Sequence, residues 1–229
     1  MATILHQFAA SPFCDKIRRV LRYKGIPFEI HEWPLMETAS IPEKNPAGKL
    51  PILEIDGETI SDSTDIAVAI EKSHPTPVLI PSDPADRGRV LALEDWADES
   101  LYFYEMTTRF GDTDFDRNLP KLVADAQMRE MMGEMLKQVL KTTTSAQGTG
   151  RRPEAQLATD VDRLFGAIED MQKATGFVVG KSLTLADIAI CAQAECIADS
   201  TVGQQTLAKR PAVAAYFKRI DELTHSDRV

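Results

Sequence analysis

A proline-rich segment separates two regions of the sequence that differ in hydrophobic periodicity. Residues 74–84, HPTPVLIPSDP, contain four prolines in eleven positions, and such a stretch cannot continue a helix and is typical of a domain boundary. Short apolar runs alternate with amphipathic helical patterns before this segment, whereas only helical periodicity follows it. We therefore predict an α/β domain over residues 1–75, a linker over residues 76–86 and an all-helical domain over residues 87–229.

The first domain is predicted to contain a β-α-β unit followed by a β-β-α unit. The run TILHQF predicts a strand, the next pattern predicts a helix closed by Gly25, and PFEIHEW predicts a second strand. This spacing is long enough for a crossover between parallel strands. Two further strands, LPILEID and ETI, are joined by Asp56-Gly57, which is a strong signal for a hairpin turn. A helix is predicted from Ser63 onward.

The second domain is predicted to be a helical bundle. Three helices are supported by apolar stripes: Val90, Ala97, Leu101 and Tyr104 in one, Leu119, Leu122, Val123 and Ala126 at the start of the next, and Leu157, Val161, Leu164, Phe165, Ile168 and Met171 in a third. The tract TTTSAQGTGRRP, residues 142–153, is poor in apolar residues. We predict that it forms a loop between helices.

Composition and charge indicate a globular protein and disfavour two classes of binding partner. With 229 residues, 43% of them hydrophobic and 27% charged, the chain is typical of a globular protein. Its net charge of -9 disfavours nucleic acid and anionic membranes, because the field of the protein repels both. No run approaches the ~20 apolar residues of a membrane span, and the N-terminal residues lack the pattern of a signal peptide. We therefore expect a cytoplasmic protein without nucleic-acid or membrane partners.

The three cysteines indicate neither a disulfide framework nor a metal site. Cys14, Cys191 and Cys196 are odd in number and lack the spacing of zinc ligands. We expect free thiols in a reducing compartment and no bound metal.

The stretch S-P-F-C, residues 11–14, combines a helix start with two groups that could act on a thiol. Ser11 before a proline predicts an N-cap, and capping alone is a sufficient role for a serine there. A hydroxyl at a helix N-terminus can also donate to an anion such as a thiolate, which the helix dipole further stabilises. Cys14 lies in the first turn, where a thiol pKa can be lowered, or else it is a small packing residue. Because serine replaces the first cysteine of a C-x-x-C motif, no internal disulfide can form there.

Two further stretches predict groups that can hold a small peptide. Pro51 stands directly before the strand-like ILEI, and a cis Leu50-Pro51 bond would leave the N–H and C=O of Leu50 facing outward for strand addition. A trans proline that begins an edge strand is the alternative. Asp62 and Ser63 precede a helix, and Ser63 as N-cap would offer free amides to a carboxylate, unless its role is capping alone.

These stretches in combination resemble the cytosolic glutathione transferase superfamily, of a bacterial type. The resemblance rests on the S-P-x-C helix start, N-P-x-x-K-L-P, the D-S helix start and the helical domain that follows, and it covers essentially the whole chain. It implies a thioredoxin-like N-terminal domain that binds glutathione as a co-substrate, followed by an all-α helical-bundle domain. It also implies a homodimer.

The resemblance assigns glutathione-binding roles to five residues: Lys49, Leu50, Pro51, Asp62 and Ser63. The backbone of Leu50, before the cis proline, is expected to pair with the cysteinyl part of glutathione. Asp62 and Ser63 are expected to hold the γ-glutamyl end. Lys49 is expected near the glycyl carboxylate.

The expected activity is that of a glutathione transferase that conjugates glutathione to a small electrophile. Ser11 occupies the place where members of the superfamily have the residue that faces the glutathione sulfur. The electrophile pocket is predicted to include side chains of the second domain's first helix that could equally be packing residues, namely Tyr102, Tyr104, Met106 and Phe110. One alternative is glutathione-dependent thiol exchange through Cys14. Another is a non-catalytic protein-interaction module with the same fold.

The segment GKSLTLADIAI contains a helix-start signal. Thr184 and Asp187 form a capping box, and Leu183 and Ile188 have the spacing of a hydrophobic staple. In the superfamily that the chain resembles, this box begins a buried helix of the second domain. We therefore expect it to contribute to stability and not to catalysis.

Overall fold

The first domain is a four-stranded sheet with helices packed against it. A computed structural model describes residues 2–227, apart from the side chains of Leu35, Met36 and Thr38. The elements of this domain are β1 (Ile4–Gln7), α1 (Pro12–Tyr23), β2 (Glu29–Glu32), a 3-10 segment (Leu35–Glu43), β3 (Ile52–Ile55), β4 (Glu58–Ser61) and α2 (Ser63–Ser73). The predicted order of β-α-β and β-β-α units is confirmed.

The strands are arranged in the order β2-β1-β3-β4. β1 runs parallel to β2 and antiparallel to β3, and β3 and β4 form a hairpin. The hairpin turn uses Asp56 and Gly57 with φ angles of 52° and 85°, left-handed values that aspartate and glycine adopt more readily than other residues. The sheet therefore has the mixed, thioredoxin-like arrangement that the resemblance to glutathione transferases implies.

The second domain is helical throughout the residues described. Its elements are α3 (Pro84–Trp96), a π-helical turn (Ala97–Leu101), α4 (Tyr102–Arg109), α5 (Phe115–Leu122), α6 (Ala126–Gln147), a 3-10 turn (Thr149–Arg151), α7 (Glu154–Gln172), α8 (Leu185–Ala198), α9 (Thr201–Lys209) and α10 (Pro211–Thr224). α3, the π-helical turn and α4 follow one another without a break. No helix within residues 2–227 has the length and apolar content needed to span a membrane.

Two predicted boundaries differ from the structure. Helix α3 begins at Pro84, inside the predicted linker, because the side chain of Asp83 caps it and proline suits the first helical position. The predicted loop over residues 142–153 is helical as far as Gln147. Threonine hydroxyls in this tract donate to carbonyls one turn earlier, which keeps these polar side chains compatible with a helix.

The apolar stripe predicted over Leu119–Ala126 is divided between two helices. α5 ends at Leu122 and α6 begins at Ala126. The side chain of Asp125 accepts a hydrogen bond from the N–H of Met128, so it caps α6. A polar N-cap inside an apolar stripe therefore interrupts a helix that periodicity alone would continue.

Helix α8 is the centre of the second domain. Every residue from Leu185 to Ile197 is buried. The predicted capping box of Thr184 and Asp187 is present at its start. Asp187 also accepts hydrogen bonds from the N–H of Val178 at 2.8 Å and from the hydroxyl of Tyr216 at 3.0 Å. The box therefore connects α8 to two other parts of the domain.

Helix α1 is joined to the helical domain by a buried arginine. Arg19 forms ion pairs with Asp15 at 2.7 Å, with Glu195 of α8 at 2.6 Å and with Asp221 of α10 at 2.7 Å. Three carboxylates around one guanidinium compensate the cost of taking it out of water. These contacts hold α1 against the helical domain and so determine which helical residues face the start of α1.

Candidate active site

Three of the stretches identified in the sequence meet at one edge of the sheet. Ser11 follows the end of β1, Leu50-Pro51 precedes the start of β3, and Asp62-Ser63 follows the end of β4. In the antiparallel register, the ends of β1 and β4 flank Ile52, the first residue of β3. The three stretches therefore emerge side by side, although they are far apart in the sequence.

Ser11 caps helix α1, as predicted. Its backbone is extended, with φ -76° and ψ 125°, and its Oγ accepts a hydrogen bond from the N–H of Cys14 at 3.4 Å. The residue is half-buried. The capping bond uses a lone pair of the oxygen, so the hydroxyl proton is still free to be donated. One hydroxyl can thus cap the helix and donate to an anion.

The turn before Ser11 is held by hydrogen bonds to three parts of the first domain. The N–H of Ser11 donates to the C=O of Phe8 at 2.9 Å. The N–H of Ala9 donates to Oε1 of Glu32 at 2.6 Å, and its C=O accepts from Arg18 at 3.4 Å. Because its polar groups are paired, the turn enters α1 in one defined conformation.

Cys14 is a buried part of the same turn. Its side chain has no exposed surface, and burial raises the pKa of the thiol to about 11. This corrects the expectation that the helix start lowers this pKa, because the cost of burying a thiolate exceeds the favourable effect of the helix end. The sulfur accepts from the N–H of Phe8 at 3.5 Å. All three cysteines, Cys14, Cys191 and Cys196, are free and buried.

The backbone of Leu50 is open at the sheet edge. The Leu50-Pro51 peptide bond is cis. Within residues 2–227, neither the N–H nor the C=O of Leu50 forms a hydrogen bond. Its side chain packs against an apolar cluster, while the neighbouring Lys49 is exposed. The two backbone groups are therefore free to pair with an extended ligand.

Asp62 caps helix α2, which corrects the prediction that Ser63 is the N-cap. The Asp62 carboxylate accepts from the N–H of Thr64 at 2.8 Å and of Asp65 at 3.3 Å, and Ser63 is the first helical residue. Asp62 has a φ angle of 78°, a conformation that costs a non-glycine residue about 1–3 kcal/mol and that concentrates at functional sites. Ser63 is buried, and its Oγ lies 3.5 Å from Oδ2 of Asp98.

A buried cluster of charges lies beside Ser63 and was not predicted from the sequence. Nζ of Lys16 donates to Oε1 of Glu94 at 2.6 Å and to Oδ2 of Asp98 at 2.5 Å. Burial raises the pKa of Asp98 to about 6, although the nearby Lys16 opposes this shift. The partners are 78 and 82 residues apart, so no local spacing reveals them. Neither this cluster nor any other group in residues 2–227 has three or more side chains placed to hold a metal ion.

Both domains match models of one protein family. Residues 5–78 match the N-terminal domain of glutathione S-transferase, and residues 130–225 match its C-terminal domain. The chain belongs to the glutathione S-transferase family. The first match includes all three stretches that meet at the sheet edge.

Individual relatives of this chain differ in name and in how much of their length it matches. A probable maleylacetoacetate isomerase 1 of Drosophila melanogaster is 34% identical over 94 residues. These residues make up 38% of this chain and 38% of that relative, so the chain spans well under half of the relative's length. A glutathione S-transferase of Pseudomonas putida is 21% identical over 98% of this chain and 90% of its own length. The beta-etherase LigF of Sphingobium sp. strain SYK-6 superposes with a TM-score of 0.70 at 22% identity, covering 96% of this chain and 95% of that chain. At this identity the likeness shows the fold.

The four predicted electrophile-pocket residues face different parts of the protein. The ring of Tyr102 lies edge-on against Phe13 with centroids 4.9 Å apart, and burial raises the pKa of Tyr102 to about 12. The hydroxyl of Tyr104 accepts from Arg152 at 2.9 Å. Met106 and Phe110 line a cavity of about 210 Å³ within the helical domain. Of the four, Tyr102 is the residue in contact with the S-P-F-C helix start.

A histidine on β1 makes the surroundings of Leu50 sensitive to pH. Nε1–H of Trp33 donates to Nδ1 of His6 at 3.2 Å, and Nε2–H of His6 donates to Oε1 of Glu54 at 2.9 Å. This arrangement requires neutral His6, because a proton on Nδ1 removes the acceptor. Burial lowers the pKa of His6; the hydrogen bond to Glu54 opposes this shift, whereas Lys44 and His31 reinforce it.

We expect the fluorescence of Trp33 to change below pH 6.5, the ordinary pKa of histidine being about 6.5. The pKa of His6 is lower in the folded state than in the unfolded state. The neutral His6 therefore stabilises the fold above about pH 6.5, and this stabilisation is lost as the pH falls. The chain has two tryptophans, so Trp96→Phe isolates the emission of Trp33 for a pH titration. His6→Asn should abolish the transition and His31→Asn should retain it. A transition that persists without His6 would contradict the assignment.

Proposed function

We propose that this glutathione S-transferase binds glutathione along the sheet edge and uses its thiolate to attack a small electrophile. The observation that carries the proposal is the convergence of Ser11, the Leu50 backbone and Ser63 at one edge. An extended tripeptide presents a thiol, peptide groups and carboxylates in one line. The groups at this edge are complementary to each of them.

Each part of glutathione has a matching group. The γ-glutamyl carboxylate accepts from the N–H of Ser63 and from its hydroxyl, which turns away from Oδ2 of Asp98 to make this bond, and the end of α2 favours negative charge there. The carboxylate of Asp62 attracts the γ-glutamyl ammonium group. The N–H and C=O of Leu50 pair with the cysteinyl backbone. Lys49, which is exposed, attracts the glycyl carboxylate.

Ser11 holds the sulfur as a thiolate. Its hydroxyl donates to the sulfur while it accepts from the N–H of Cys14, and the end of α1 adds partial positive charge. A pKa decrease of about two units requires roughly 2.7 kcal/mol of preferential stabilisation of the thiolate. A hydrogen bond to a charged group contributes about 1.5–3 kcal/mol and a helix end about 0.3–1 kcal/mol, so the two together suffice. The thiol proton passes to water.

The thiolate then forms a carbon–sulfur bond with its electron pair. In a substitution, the displaced group leaves with the electrons of the bond that breaks; in an addition, those electrons move onto the electrophile, which takes a proton from water. Tyr102, packed against Phe13, supplies an apolar wall on the α4 side. We therefore infer an electrophile with an apolar part beside its reactive carbon.

Thiol exchange through Cys14 is the less favourable chemistry for this site. A buried thiol with a pKa of about 11 is scarcely ionised at neutral pH. It is also engaged as an acceptor for the N–H of Phe8. Ser11 is the more accessible of the two groups.

Calorimetric titration with glutathione tests the proposal. We expect Ser63→Ala to weaken glutathione binding about tenfold, because it removes a hydrogen bond to a carboxylate. Ser73→Ala, at the opposite end of α2, is the matched control and should bind as the wild type does. If millimolar glutathione gives neither heat nor a thermal shift with the wild-type protein, the enzyme hypothesis fails and a non-catalytic interaction module is favoured.

We also infer a cytoplasmic homodimer. The dimer follows from the resemblance to the family, and three free cysteines suit a reducing compartment. Light scattering during size-exclusion chromatography should give about twice the 25.4 kDa of one chain. A monomeric mass at every concentration would exclude the dimer.

A further inference from the structure

The turn that carries Ser11 is tied to the helical domain by an arginine. Arg109, the last residue of α4, has 1% of its surface exposed. Its Nη1 donates to the C=O of Ala10 at 3.3 Å and to Oε1 of Glu105 at 3.0 Å. Its Nε lies 3.5 Å from Oδ2 of Asp199. Two carboxylates thus hold the planar guanidinium in one orientation.

The peptide group between Ala10 and Ser11 is therefore held at both polar ends. Its N–H donates to the C=O of Phe8 at 2.9 Å, and its C=O accepts from Arg109. Because a peptide group is planar and rigid, these two bonds fix the plane from which Ser11 begins. The capping bond from the N–H of Cys14 then orients the Ser11 hydroxyl.

Helix α4 contacts the chain on both sides of Ser11. Arg109 bonds to the residue before it, although Ala10 and Arg109 are 99 residues apart. Tyr102, about two turns earlier on α4, packs against Phe13, two residues after Ser11. A displacement of α4 would therefore shift the residues on both sides of Ser11.

We propose that Arg109 is a positioning residue that aligns the Ser11 hydroxyl with the glutathione sulfur through the Ala10 carbonyl. This inference rests on the proposed role of Ser11. Removal of Arg109 takes away no group that touches glutathione, so affinity should be retained. The rate of conjugation should fall, because a displacement of about 1 Å at a reacting group can lower a reaction rate about 100-fold.

Arg109→Lys and Arg109→Gln test the inference through three measurements: the calorimetric Kd for glutathione, the ultraviolet absorbance of the bound thiolate against pH, and kcat/KM against pH with a chlorinated dinitrobenzene. We expect the thiolate titration and the acid limb of kcat/KM to move up by about one pH unit. At pH 6.5 this corresponds to a loss of about tenfold in kcat/KM. Measured at pH 6.5 or below, where glutathione binds mainly as the thiol, the Kd for glutathione should change less than about twofold.

Arg210→Lys is the matched control. Arg210 pairs with Asp162 and Glu169 inside the helical domain. Its replacement disturbs an ion-pair cluster of similar chemistry away from the Ser11 turn. The thiolate titration of this variant should equal that of the wild type.

The outcomes separate this inference from the proposed function. Folded Arg109 variants with the wild-type thiolate titration would overturn the role of Arg109, provided that Ser11→Ala shifts it. An unchanged titration in Ser11→Ala, or no glutathione binding by the wild type, would refute the proposed function itself. If Arg109→Gln does not fold, Arg109→Lys and Glu105→Gln give the same comparison, since Glu105→Gln weakens the anchor of the guanidinium.

Discussion

Replacement of Asp187 by alanine is expected to lower the free energy of unfolding by about 4 kcal/mol. The carboxylate is fully buried and accepts from the N–H of Val178 at 2.8 Å, from the N–H and hydroxyl of Thr184 at 2.9 Å and 2.8 Å, and from the hydroxyl of Tyr216 at 3.0 Å. Alanine leaves these donors without an acceptor, and each buried unsatisfied donor costs about 1–3 kcal/mol. The loss is large because one side chain satisfies groups from three segments.

Urea unfolding followed by circular dichroism measures this loss. Asp187→Asn keeps an oxygen acceptor and should lose less than the alanine variant. Thr184→Ala removes one partner of the capping box and should cost about 1–2 kcal/mol. A loss below about 1 kcal/mol in Asp187→Ala would mean that other groups or water replace the carboxylate.

Ser11→Ala is expected to lower kcat/KM for conjugation by about 10- to 100-fold at pH 6.5. A hydrogen bond to a charged group contributes about 1.5–3 kcal/mol, and each 1.36 kcal/mol is a factor of ten in rate. The pKa of the bound glutathione thiol should rise, because the thiolate loses its donor. The Kd for glutathione at pH 6.5 or below, where glutathione binds mainly as the thiol, should stay close to the wild-type value, since the groups at Leu50 and Ser63 are intact.

Cys14→Ser is the matched variant for this experiment. The sulfur of Cys14 accepts from the N–H of Phe8, and a serine oxygen can take over that bond. We expect conjugation to continue near the wild-type rate. The opposite pattern, with activity lost in Cys14→Ser and kept in Ser11→Ala, would identify thiol exchange through Cys14 as the reaction.

Signals that act within a few residues predicted much of the fold. The serine-proline pair at Ser11 predicted the start of α1, because its hydroxyl and the missing proline N–H both suit a helix end. Asp56-Gly57 predicted the hairpin from the conformations those residues tolerate. The box of Thr184 and Asp187 predicted the start of α8. The resemblance of the three N-terminal stretches to the glutathione transferase superfamily is what placed the candidate site in the first domain.

The incorrect predictions arose where two local signals competed. Asp62 and Ser63 both suit an N-cap, and the structure uses Asp62. The tract at residues 142–153 resembles a loop in composition, but threonine hydroxyls bonded to the preceding turn allow a helix to continue through it. In each case the choice depends on small free-energy differences between neighbouring residues.

Contacts between distant segments were beyond prediction from one sequence. Lys16 donates to Glu94, which is 78 residues away in the sequence, and Arg109 donates to Ala10, which is 99 residues away. Such pairs form because α1 packs against the helical domain, and no spacing rule describes that packing. The thiol of Cys14 illustrates the same limit, since a helix start lowers a thiol pKa and burial raises it. The sequence by itself thus determined most of the helix caps and turns. The protonation state of Cys14 and the contacts between the two domains depend on which groups are buried together, and burial exists only in the folded chain.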